Sequence, residues 1–145
     1  MKPVSVLILS LSLASCRGEP RNTPEEAYRA FYDAVAANSL ERAAEHLSPE
    51  VRQAFARMGE RLRRDGGADI DGLRLFLLHS AADGIGPLRS VEVLEREPDR
   101  VTLQIAAGPC GKDQECRVSR VSMVRAEGRW KVAPTLPPEL AGKQP

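Results

Sequence analysis

Cys110 and Cys116 are the residues whose type and spacing point most directly to chemistry. They bracket Gly111-Lys112-Asp113-Gln114-Glu115. A bridge between them would fasten the mouth of a hairpin, and closing so short a loop contributes about 2 kcal/mol by the chain-entropy relation. Zinc usually needs four ligands, and no histidine or further cysteine lies nearby. A redox pair usually has two residues between its cysteines, not five. A structural disulfide is the expectation, with metal binding and redox catalysis as the alternatives. There is no Gly-rich phosphate loop, no HExxH and no GxSxG.

The third cysteine sits in a different setting. Lys2 is followed by an apolar run from Val4 to Leu13 and then by Ala14, Ser15 and Cys16. The run is about ten residues, half of what a membrane-crossing helix needs, so it reads as a secretory signal over residues 1–15. Leu13-Ala14-Ser15-Cys16 resembles the lipobox of bacterial lipoproteins. That resemblance implies cleavage before Cys16 and acylation of its sulfur and new amine; the alternative is an ordinary signal with Cys16 a plain thiol. Membrane lipid is then the first partner, held through Cys16. Residues 16–22 form a short polar tether, its last six reaching at most about 20 Å. The resemblance places the protein on the periplasmic face. Arg17 is not the aspartate that retains such proteins in the inner membrane of enteric bacteria, which favours the outer membrane. With Cys16 assigned to lipid, an even pair of cysteines remains in an exported chain.

The 145 residues less a 15-residue signal leave 130, enough for one domain and too few for two. Without Lys2 the mature chain has 20 basic and 20 acidic residues, and aromatics are 4% of the whole. Neither balance suits a nucleic-acid surface, so no nucleic-acid partner is expected.

The elements that must position any site follow in order. Thr23-Pro24-Glu25-Glu26 has the form of a capping box. Tyr28, Phe31, Tyr32 and Val35 then recur at helical spacing. A short second helix carries Leu40, Ala43, Ala44 and Leu47. Ser48-Pro49-Glu50 starts a third, with Val51, Phe55, Met58 and Leu62 on one face and Arg57, Arg61 and Arg64 on a flank, solvated or facing anionic headgroups. A fourth, between Asp71 and Ala82, clusters Ile70, Leu73, Leu77 and Ala81 while Leu75 and Leu78 point away, so burial on two sides is expected. His79 lies opposite that stripe and is a poor buried base. Four alternating segments follow: Leu88 to Glu95, Arg100 to Ala107, Arg117 to Ala126 and Arg129 to Ala133, with turns at Glu97-Pro98-Asp99 and Glu127-Gly128. Helices preceding an antiparallel meander predict an α+β domain over 23–134, its helices packed on one sheet face. Residues 135–145, with Pro137, Pro138 and Pro145, read as a loose tail.

Thr23-Pro24-Glu25-Glu26-Ala27, Phe31-Tyr32-Asp33-Ala34, Leu47-Ser48-Pro49-Glu50 and the closing Glu127-Gly128-Arg129-Trp130-Lys131-Val132 together resemble small NTF2-like (cystatin-like α+β) lipoproteins of unknown function. The resemblance spans about residues 23–133. It implies a curved sheet of about four strands forming a cone, whose pocket relatives use for catalysis or ligand binding. NTF2-like isomerases and dehydratases use an inward Asp or His with tyrosine partners. By that resemblance the candidate pocket residues are Tyr28, Tyr32, Arg120 and Trp130, with Asp33 nearby. They form no recognisable catalytic constellation, so no catalytic residue, cofactor or metal is assigned. The expected function is a membrane-anchored ligand-binding or protein-assembly module that is not an enzyme. The alternatives are an isomerase- or dehydratase-like enzyme and a homodimeric scaffold.

Overall fold

The computed structural model describes residues 22–66, 69, 71–81, 86–111, 115–136 and 138. The signal segment, Cys16 and its tether up to residue 21, Ile70, the His79 side chain and most of the tail lie outside the described residues.

Helices α1 (Pro24–Ala36), α2 (Leu40–Glu45), α3 (Pro49–Arg64) and α4 (Gly72–Ala81) precede strands β1 (Leu88–Arg96), β2 (Arg100–Ala107), β3 (Arg117–Ala126) and β4 (Arg129–Val132). The strands form one antiparallel sheet in the order β1-β2-β3-β4, so the architecture is α+β as the alternation predicts.

Local chemistry sets the boundaries. At α1 the Thr23 hydroxyl accepts from the Glu26 amide while the Glu26 carboxylate accepts from the Thr23 amide, satisfying two orphan donors. Ser48 caps α3 by accepting from the Val51 amide, with Pro49 at the first turn. The β3–β4 hairpin turns on Glu127 and Gly128, at φ 54° and 72°. Two successive positive φ values match the right-handed twist of the flanking strands.

The edge of β4 is covered. The Val132 amide donates to the His46 carbonyl, and the Ser48 amide donates to the Val132 carbonyl, so residues 46–48 run parallel beside the strand. The buried Lys131 sends its ammonium to the Glu45 carbonyl at the end of α2, and lies 3.8 Å from the Glu127 carboxylate. A cation there complements the negative end of the helix.

Inside, Val101, Leu103, Ile105, Met123 and Val132 face the helices. A row of rings crosses the helical layer: Tyr32 to Tyr28 at 6.2 Å, Tyr28 to Phe31 at 6.0 Å, Phe31 to Phe76 at 6.3 Å and Phe76 to Phe55 at 4.8 Å. The helical layer thus carries a continuous row of rings.

Among the described α4 side chains, Gly72 and Phe76 are buried and Leu73 and Leu75 half-buried, with Leu73 packed against the core; the side chains of Leu77, Leu78 and Ala81 lie outside the described residues. A Cβ on Gly72 would stand 1.6 Å from the Phe55 carbonyl oxygen, so α4 crosses α3 with the glycine against its backbone, and that contact sets the rotation. On α3, Leu62 is 37% exposed because the helix runs past the end of the core.

Candidate functional site

One face of α1 beside the core stripe carries Arg29, Tyr32, Asp33 and Ala36, the i, i+3, i+4, i+7 positions of a helix, with Tyr32 still packed against the core. Opposite it runs the segment entering β1, Gly86-Pro87-Leu88. Between them lies a hollow of about 400 Å³, within the size range of small-molecule sites.

The backbone wall of this hollow is held from both sides. The Tyr32 hydroxyl donates to the Gly86 carbonyl at 2.6 Å. Behind it, the Gly108 amide donates to the Pro87 carbonyl at 3.0 Å. Gly108 in turn accepts through its own carbonyl from the Cys110 amide at 2.9 Å and from Arg89 Nε at 3.1 Å. A Cβ on Gly86 would sit 2.4 Å from the Gly108 Cα, so the two backbones touch where no side chain fits. Gly108 itself has φ 112°, a conformation that favours glycine. Cys110 and Cys116 are bonded to each other, with 4.7 Å between their Cα atoms. The disulfide therefore lies two residues beyond the glycine that backs the wall.

The polar groups differ in their commitments. Tyr28 is buried, and that burial, with Tyr32 nearby, pushes its hydroxyl up to about 12. Burial also raises Tyr32, partly offset by the Arg117 guanidinium. Arg29 and Asp33 are exposed on the rim, and neither side chain has an ion-pair or hydrogen-bond partner among the described residues.

The candidate pocket residues do not come together. Tyr32 lines the hollow, with Asp33 beside it. Tyr28 belongs to the buried ring row, and Trp130 is buried with the Arg125 guanidinium 5.8 Å from its ring centre. Arg120 pairs in register with Gln104, one residue out of phase with the inward Leu103 and Ile105. It stands exposed on the sheet face away from the helices. Arg29, Ala36 and the 86–88 wall went unnoticed in the sequence. The available signal was the polar face of α1 complementary to its core stripe; the wall had none, because its place depends on the Gly86–Gly108 approach.

Among the described residues no group of three His, Cys, Asp or Glu side chains could hold a metal ion, and no helix is long and apolar enough to cross a membrane. No protein-family model matches the chain, and no curated protein matches it.

Proposed function

We propose that this chain is an exported, lipid-anchored module whose NTF2-like domain captures a small molecule close to the membrane surface. The observation that carries the reading is the hollow between α1 and the 86–88 segment. Its wall is fixed by the Tyr32 and Gly108 hydrogen bonds, while the rim charges Arg29 and Asp33 remain uncommitted. Fixed backbone beside free charged side chains is an arrangement for binding. Catalysis would in addition need an acid or base aimed at a reacting atom. Tyr32, whose hydroxyl faces the hollow, already donates its proton to Gly86. The anchor in this reading is the acylated Cys16, supported by the Leu13-Ala14-Ser15-Cys16 pattern after an apolar run.

The experiment is crosslinking in bacterial membranes followed by purification, comparing the intact chain with Cys16→Ser and analysing small molecules and proteins together. A small molecule that co-purifies with the anchored form and is lost from Cys16→Ser supports the reading. A protein partner with no small molecule would replace it with an assembly role.

A further inference from the structure

We infer that the hollow takes a zwitterion with an apolar body, the chemistry of an amino acid or short peptide with an aliphatic side chain. This inference rests on the reading of the hollow as a ligand site and adds what the site selects.

The carbonyls of the backbone wall are already engaged. Pro87 has no amide hydrogen, its carbonyl accepts from Gly108, and the Gly86 carbonyl accepts from Tyr32. Among the described lining residues the charged groups are Arg29 and Asp33, and the apolar contact comes from Ala36, Pro87 and Leu88. One cation and one anion, about 5–6 Å apart at their Cβ atoms by the i, i+4 geometry of a helix, match a ligand with one charge of each sign. A guanidinium receives a carboxylate through paired N–H donors, and a carboxylate receives an ammonium.

Helix stability does not account for this pair. The acid lies in the last turn of α1, and that turn contains no basic residue. A carboxylate near the negative end of a helix is unfavourable, and the order base-then-acid at i, i+4 is the poorer one. Asp33 thus sits where the helix itself would prefer a neutral or basic residue. Its compensation is the ligand's ammonium group.

The test is titration of the isotopically labelled full chain with leucyl-leucine, N-acetyl-leucyl-leucine and leucyl-leucinamide, following the amide signals of Tyr32, Ala36 and Leu88. We expect the zwitterion to shift these signals and each blocked form to bind at least tenfold more weakly. Arg29→Gln and Asp33→Asn should each lose at least tenfold, while Asp33→Asn keeps or raises the Tm. Equal binding of blocked and zwitterionic forms would overturn the ligand class and leave the hollow as a binding site. No shift with any of the three would also overturn the class; loss of the co-purifying molecule from a hollow-filling variant then decides the broader reading separately.

Discussion

The Tyr32 hydroxyl and the Gly86 carbonyl, 54 residues apart in the chain, are joined by a 2.6 Å hydrogen bond that ties α1 to the segment entering β1. Without it, the wall of the hollow would be held only from the Gly108 side. Tyr32→Phe keeps the ring and leaves the carbonyl unpaired. Loss of a hydrogen bond of this kind costs about 1 kcal/mol. We expect a matching drop in urea midpoint and faster hydrogen exchange at Leu88, with exchange in β3 little changed.

Glycine at the α3–α4 crossing allows no alternative. Gly72→Ala would drive a methyl group into the Phe55 carbonyl, and forcing packed elements apart costs about 1–3 kcal/mol, occasionally more. Denaturant unfolding should show a loss at the upper end of that range. Gly66→Ala has open space for its Cβ, but its φ of 77° should also make it destabilising, by a smaller amount of about 1 kcal/mol.

Reduction of Cys110–Cys116 should destabilise the domain by about 2 kcal/mol through loop entropy. Because Cys110 donates to Gly108, and Gly108 to Pro87, the loosening should reach the hollow. Hydrogen exchange comparing oxidised and reduced protein should show faster exchange at Gly108 and Leu88, with the α3 amides unaffected.

The imidazole of His46 is held below its usual range by burial first and by the Lys131 ammonium second, with Glu45 opposing. A base whose pKa is lower in the folded state binds more protons when unfolded, so stability rises with pH through that window. We expect the domain to lose stability as pH falls from about 6.5, the unfolded histidine value, toward the depressed folded value. His46→Gln should flatten that part of the pH profile measured by thermal unfolding.

What was legible in the sequence follows from how local each signal is. Thr23, Glu26, Ser48 and Pro49 act within four residues, and their caps stand where the pattern places them. The alternation of Val101, Leu103 and Ile105 likewise reads directly as a buried face. Arg120 shares its alternation with Ser122 and Val118, but which face turns inward depends on pairing with β2, a relation distant in the chain. Phe76 is the central ring between Phe31 and Phe55, a place the α4 pattern does not mark, because the Gly72 contact with the α3 backbone helps set the helix against its neighbour. The hollow depends on Gly86 meeting Gly108, which no local pattern encodes.

The most direct measurement is native mass spectrometry of the intact protein extracted from bacterial membranes, beside an Ala36→Trp variant whose indole fills the hollow. We predict that both forms carry acyl chains on Cys16, and that a bound small molecule present on the first is missing from the second. An unacylated Cys16, or a small molecule retained by Ala36→Trp, would contradict an anchored module that binds its ligand at this site.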